Sequence, residues 1–143
     1  PRDIQDKLDV SVSVSTMPKA AVEQWAGIFE FKMGSFQKGT YESTCTLPEA
    51  LNVLSVFGHS EPAAGTWELS CGEESLFSVK SEKFADDIPP LKNFKEPKPV
   101  ESGSTCSIAC DWGETATGQM CEGVVVVTSI DSPMACIDGE IRR

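Results

Sequence analysis

The six cysteines are the residues of this chain that could form covalent bonds or bind a metal. They lack the spacing of a zinc site, because no CxxC pair occurs and Cys106 and Cys110 form only a CxxxC pair, far from the single histidine, His59. An even number of cysteines in 143 residues is typical of disulfides, which form in an oxidising compartment. The spacing permits many pairings and selects none of them. The sequence therefore predicts a secreted, disulfide-bonded protein.

Candidate catalytic groups are few. His59 stands beside Ser60 and Glu61, but adjacency in sequence does not make a triad, and no G-x-S-x-G motif occurs. We therefore interpret His59 as an exposed loop residue. Three acidic pairs could serve a glycosidase, although loop carboxylates are more often simply solvated: Asp86 with Asp87, Asp111 with Glu114, and Asp138 with Glu140. We expect no enzymatic activity.

The charge balance excludes two classes of partner. The chain has 12 basic and 22 acidic residues, a net charge of -10. Such a surface repels phosphate backbones and anionic lipids, so nucleic acid and membrane surfaces are poor partners.

No EF-hand spacing or histidine cluster is present, and no cofactor or metal is expected. Pro1 looks like the start of a mature or trimmed chain, and the longest apolar run, Val124 to Val127, is too short to cross a bilayer.

Alternating residues predict mostly strands. In the segment from Thr66 to Lys80, Trp67, Leu69 and Cys71 alternate with polar residues, which indicates a hairpin with one buried face. Further strands are expected at Asp9 to Ser15, Ile28 to Met33, Thr40 to Cys45, Ser104 to Trp112, Met120 to Ile130 and Met134 to Ile141. The four consecutive valines of Met120 to Ile130 imply burial on both faces or a crossing between layers.

Two short helices are also expected. Thr46 as N-cap, Pro48 and Glu49 introduce helical spacing that ends at Gly58, although a strand from Val53 to Phe57 is the alternative. A second helix could span Pro18 to Trp25.

The region from Ser81 to Gly103 contains four prolines and reads as a surface connection, with a short edge strand near Leu91 to Phe94. Together these elements predict one mainly β domain over residues 1–143. Its fold would be an antiparallel barrel or sandwich of about seven to nine strands, with one or two short helices.

Two cysteine neighbourhoods resemble a known family. They are W-x-x-x-C-G-E at Trp67 to Glu73 and Met120-Cys121-Glu122-Gly123-Val124. These motifs and their spacing resemble the Alternaria major allergen family, secreted fungal β-barrel proteins, with which hypersensitive-response-inducing elicitors of plant-pathogenic fungi of the rice-blast type are grouped. The resemblance extends from about Phe29 to Ile130.

The resemblance carries implications for pairing and assembly. It implies bridges Cys45–Cys71 and Cys110–Cys121, which leaves Cys106 for Cys136, a bridge outside the family's usual four-cysteine core. The family's covalent dimer uses a cysteine near the N-terminus, and here no cysteine precedes Cys45. We therefore expect a monomer or weak dimer.

The function that the resemblance implies is that of a secreted effector or elicitor, which binds a plant host protein or receptor and contributes to virulence or to the hypersensitive response. We expect contacts from the Asp111 to Gln119 loop and from the Lys83 to Glu101 segment. The candidate contact residues are Asp111, Trp112, Glu114, Gln119, Lys92 and Lys95.

Two alternatives remain open. One is a carrier of a small apolar or flavonoid-like ligand among the inward aromatics Phe29, Phe31 and Trp67. The other is a protease inhibitor that uses the loop after Cys110.

Overall fold

The computed structural model describes residues 28–33, 37–61, 65–80, 91–114, 117–118, 120–128 and 130–143. These residues form twelve strands: β1 (Ile28–Lys32), β2 (Gln37–Lys38), β3 (Thr40–Thr46), β4 (Leu51–Glu61), β5 (Thr66–Cys71), β6 (Glu74–Lys80), β7 (Leu91–Val100), β8 (Thr105–Asp111), β9 (Thr117–Gly118), β10 (Met120–Thr128), β11 (Met134–Ile137) and β12 (Glu140–Arg142). The described residues include no helix, and so none that could span a membrane. The strand expected at Asp9 to Ser15 and the helix expected at Pro18 to Trp25 lie outside them.

The strands form two main sheets, which confirms the mainly β class. The larger sheet has the order β12-β11-β1-β10-β4-β7, and the smaller one has the order β3-β8-β5-β6. A short third pair joins β2 to β9. Neighbouring strands are antiparallel except β1 and β11, which run parallel. The count exceeds the expected seven to nine partly because β2, β9 and β12 are too short to show alternation in sequence.

The hydrophobic core lies between the two main sheets. Trp67 projects from β5 of the smaller sheet and is fully buried. It lies against Gly58 and Gly123, which face each other on β4 and β10 of the larger sheet. Its indole N–H donates a hydrogen bond to the Glu122 carbonyl at 3.1 Å. Two opposed glycines thus make room for one large ring, and Trp67 is the core residue that the alternation predicts.

Three disulfides reinforce this arrangement. Cys45–Cys136 joins β3 to β11, and Cys110–Cys121 joins β8 to β10, so both bridges connect the two sheets. The third bridge, Cys71–Cys106, lies within the smaller sheet, between β5 and β8.

The implied pairing is therefore right for Cys110–Cys121 and wrong for the other four cysteines. Cys106 lies on a central strand and faces Cys45 on one side and Cys71 on the other. Since neighbouring strands are about 4.8 Å apart, Cys45 and Cys71 are separated by roughly 10 Å. A disulfide needs Cα atoms within about 7 Å, so these two cannot pair directly.

The helix expected between Thr46 and Gly58 is also wrong, and the strand alternative is correct. Leu51 and Val53 point inward on β4, but the register shifts at Leu54, after which Val56 and Gly58 point inward instead. This bulge changes which residues of the strand are buried, so the apolar spacing imitates a helix. Hydrogen bonding to β10 and β7 on both sides supports the strand.

The proline-rich region contributes an edge strand, as the sequence predicts, but β7 extends to Val100 rather than ending near Phe94. Pro97 and Pro99 are tolerated because an edge strand does not need every backbone donor. Lys92 Nζ donates to the Leu76 carbonyl at 2.6 Å, which links β7 to β6 of the smaller sheet. Tyr41 donates to Asp138 Oδ1 at 2.8 Å on the opposite side, where β3 meets the β11–β12 turn.

Candidate functional site

The loop that follows Cys110 is the first candidate surface. Asp111 ends β8 and accepts a hydrogen bond from the Gly113 N–H at 2.8 Å, which closes a tight turn. The Trp112 N–H donates to the Gly39 carbonyl at 2.7 Å. The Cys110–Cys121 bridge fixes the base of this loop, which therefore has anchors at several points.

Trp112 anchors this loop from below. Its side chain is only 3% exposed, and its indole N–H donates to the Ser60 hydroxyl at 2.9 Å. A Cβ atom on Gly118 would lie within 3.0 Å of three atoms of the Trp112 ring, so glycine is required for this packing. The ring thus fills the space beneath its own loop, and its expected contact with a partner stays a prediction.

The exposed part of the loop is polar. Asp111 and Glu114 are exposed, and with Lys38, Gly39, Thr40 and Gly113 they line an open cavity of about 490 Å³. Gln119 lies outside the described residues. Asp111 and Glu114 thus present two carboxylates beside Lys38 of β2.

The remaining two candidates lie elsewhere. Lys92 and Lys95 belong to β7, the edge of the larger sheet, whereas Asp111 ends a strand of the smaller sheet. Lys92 donates to a backbone carbonyl, and its ammonium lies 5.1 Å from the centre of the Phe94 ring. Lys92 therefore connects two sheet edges, while Lys95 is exposed.

The aromatic side chains suggested for an internal ligand site fill the core. Phe29, Phe31 and Trp67 are each completely buried. The rings of Phe29 and Phe31 are 4.7 Å apart, and Trp67 lies edge-on to Phe77 at 5.8 Å. These contacts support a structural role for the three rings.

His59 is not in an exposed loop, as expected from the sequence, but half-buried in β4. It points away from the core, while the neighbouring Ser60 points inward to Trp112. The two side chains therefore lie on opposite faces of the sheet and cannot act together. Within the described part of the chain, no group of three or more His, Cys, Asp or Glu residues is placed to hold a metal ion.

A charged cluster that sequence reasoning missed lies on the outer face of the larger sheet. Lys32 on β1 is directly opposite Glu122 on β10, and Glu122 is opposite His59 on β4. Lys32 Nζ lies 2.9 Å from Glu30 Oε1 and 3.4 Å from Glu122 Oε1. Alternation around Phe29 and Phe31 puts Glu30 and Lys32 on the outer face, but only the strand order brings Glu122 beside them.

This proximity shifts the pKa values of all three groups. Burial and a hydrogen bond with Glu30 raise the pKa of Glu122. Burial alone would also raise the pKa of Glu30, but hydrogen bonds from Glu122 and Lys32 lower it below its usual value. The hydrogen bond to Glu30 raises the pKa of Lys32. The two carboxylates therefore compete for one ammonium, and Glu122 is the one that holds a proton more readily.

A cavity of about 290 Å³ adjoins this cluster. Phe57, Gly58, His59, Glu122 and Val124 line it. It is thus an apolar depression with a carboxylate at one end.

Comparisons with known proteins give no assignment: no family model matches the chain, and no curated protein matches it.

Proposed function

We propose that this protein is a secreted fungal effector or elicitor of the Alternaria major allergen type, and that it acts by binding a plant host protein rather than by catalysis. The observation that carries the proposal is the loop after Cys110, which is anchored by a disulfide, a buried tryptophan and backbone hydrogen bonds while Asp111 and Glu114 remain exposed. An anchored loop loses little conformational entropy on binding, which favours affinity.

The compartment and the charge fit this function. Three disulfides in a small β protein are consistent with an oxidising, extracellular environment. The net charge of -10 and the two loop carboxylates favour a partner whose contact surface carries lysine or arginine. The protein would act as a monomer or weak dimer. Its two sheets would form a barrel or a sandwich.

The first test compares purified protein in its oxidised form with a reduced and alkylated control after leaf infiltration. Oxidative burst and cell death are scored. A response to the oxidised form alone is expected, because the loop depends on the folded frame. A response of equal size to the alkylated control, or no response to either form, would contradict a folded elicitor.

A second test assigns the contact surface. In the double variant Asp111→Asn with Glu114→Gln, the asparagine keeps the acceptor for the Gly113 N–H, so the loop conformation is retained while both charges are lost. The control variant, Glu73→Gln with Glu101→Gln, removes two exposed charges elsewhere. We expect the loop variant to lose the response and the control to keep it. Full activity of a folded loop variant would rule out this surface.

A further inference from the structure

The outer face of the larger sheet has a cavity whose walls combine apolar and charged groups. Phe57 faces Val124 at one end, and His59 faces Glu122 at the other. The backbone of Gly58 lies between these two cross-strand pairs, with the Trp67 indole directly beneath it on the core side. At about 290 Å³ the cavity is close to the lower limit of roughly 300 Å³ for small-molecule sites.

The charges beside the cavity are unequal in number. Glu30 and Glu122 carry two negative charges when both are ionised, and Lys32 carries one positive charge. Lys32 lies closer to Glu30, so Glu122, which lines the cavity, is the less compensated carboxylate. Both carboxylate side chains are partly buried, at 27% and 26% exposure, so an uncompensated charge there is less favourable than at a fully exposed position. A second cation placed at Glu122 would compensate it.

The rest of the cavity selects what carries that cation. Phe57 and Val124 offer an apolar surface at the end of the cavity away from Glu122. An anion would meet Glu122 and the net charge of -10, so it is disfavoured. We propose that this cavity binds a small arylalkyl amine, with its ammonium at Glu122 and its ring over Gly58, against Phe57 and Val124.

The pH dependence of binding follows from the same groups. Glu30 and Lys32 face Glu122 from β1, and His59 faces it from β4. Since burial and the hydrogen bond with Glu30 raise the pKa of Glu122, its carboxyl keeps a proton to a higher pH than an ordinary glutamate does, and a bound ammonium would displace that proton. Amine affinity should therefore increase as pH rises through the Glu122 titration. Binding of the amine should release the Glu122 proton to the solvent.

The test uses 2-phenylethylamine as the probe, with 2-phenylethanol and phenylacetate as neutral and anionic analogues of similar shape. Amide chemical shifts locate the site, and calorimetry gives the affinity. We expect binding of the amine with a Kd of about 1 mM or tighter. The largest shifts should fall at Gly58, Gly123 and Val124, and phenylacetate should not bind.

Variants isolate the role of the carboxylate. Glu122→Gln keeps the shape and is expected to reduce amine affinity by about tenfold or more, since hydrogen bonds to charged groups are stronger than neutral ones. The affinity of the Glu122→Gln variant for 2-phenylethanol should equal that of the unmodified protein. Glu61→Gln, at the exposed end of β4, should leave amine affinity unchanged. Absence of binding, equal binding of the three probes, shifts confined to other regions, or an unaffected Glu122→Gln variant would each overturn the proposal.

Discussion

Gly58→Ala should be among the most destabilising single-methyl additions in this protein. A Cβ atom at this position would lie within 3.0 Å of three atoms of the Trp67 indole. The indole has little freedom to move, because it is fully buried and its N–H is bonded to the Glu122 carbonyl. The backbone of Gly58 does not have a positive φ, so alanine can adopt it and the cost is steric.

The expected magnitude follows from two opposing terms. In a strand without steric conflict, alanine would be favoured over glycine by about 0.5–1 kcal/mol because it restricts the unfolded chain. Overpacking a dense core typically costs about 1–3 kcal/mol, and here the conflict is with a rigid ring held on all sides. With an overpacking cost near the top of that range, we expect a net loss of about 2 kcal/mol in the free energy of unfolding.

Gly123→Ala is the matched control. Its added Cβ would lie 2.9 Å from Leu69 Cδ1, 3.0 Å from Ile108 Cδ1 and 3.1 Å from the Trp67 ring. Two of these neighbours are terminal methyl groups, which can move by a few tenths of an ångström. We therefore expect a smaller loss, of about 1 kcal/mol.

Denaturant unfolding of the oxidised proteins, followed by circular dichroism, measures both changes. A double-mutant cycle with Trp67→Phe then tests the cause, because the smaller ring leaves space for the alanine methyl at Gly58. The coupling energy should be at least about 1 kcal/mol, in the direction of rescue. If Gly58→Ala costs no more than Gly123→Ala, or if the cycle is additive, the packing argument is refuted.

Three further predictions concern other parts of the frame. Ser60→Ala removes the acceptor of the buried Trp112 indole N–H and should cost about 1–3 kcal/mol in the free energy of unfolding, whereas a loss below about 0.5 kcal/mol would contradict that hydrogen bond. Burial and the hydrogen bond to Asp138 raise the pKa of Tyr41 to about 12. The contribution of Tyr41 to the free energy of unfolding is therefore fully present below pH 10 and is lost as pH rises toward 12. The difference in free energy of unfolding between the unmodified protein and Tyr41→Phe, measured by denaturant unfolding, should therefore shrink by at most about 2–3 kcal/mol across that interval. A difference that stays constant with pH would refute this prediction. Peptide mapping without reduction should recover Cys71–Cys106 as a linked pair, and the pairing implied by the family resemblance would contradict the strand register.

Local alternation was sufficient to predict most strands in the described residues. The hairpin from Thr66 to Lys80 and the burial of Trp67 follow directly from residues that alternate within a few positions. The same approach failed at β4, because one bulged residue, Leu54, reverses the alternation in mid-strand. A bulge depends on the partner strand, and that information is not local.

Features that depend on strand order could not be predicted. Cys106 faces two cysteines at once because β8 lies between β3 and β5, and no spacing in the sequence specifies that neighbourhood. Glu30 and Glu122 meet for the same reason, on strands far apart in the chain. The burial of Trp112 was not predicted because a loop position suggests exposure, although Gly118 and Ser60 together make a buried place for its ring.

The two faces of the larger sheet therefore have different requirements. The inward positions Gly58 on β4 and Gly123 on β10 pack against Trp67, so even a methyl group there is costly. Packing does not explain the outer face, because two partly buried carboxylates that share one lysine are not an efficient way to stabilise a sheet. Glu122→Gln should then unfold no more easily than the unmodified protein, since it relieves the repulsion with Glu30 and keeps a hydrogen-bonding side chain. Unchanged stability together with lost amine binding would assign this charge arrangement to recognition, whereas a loss of more than about 1 kcal/mol would assign it to the fold.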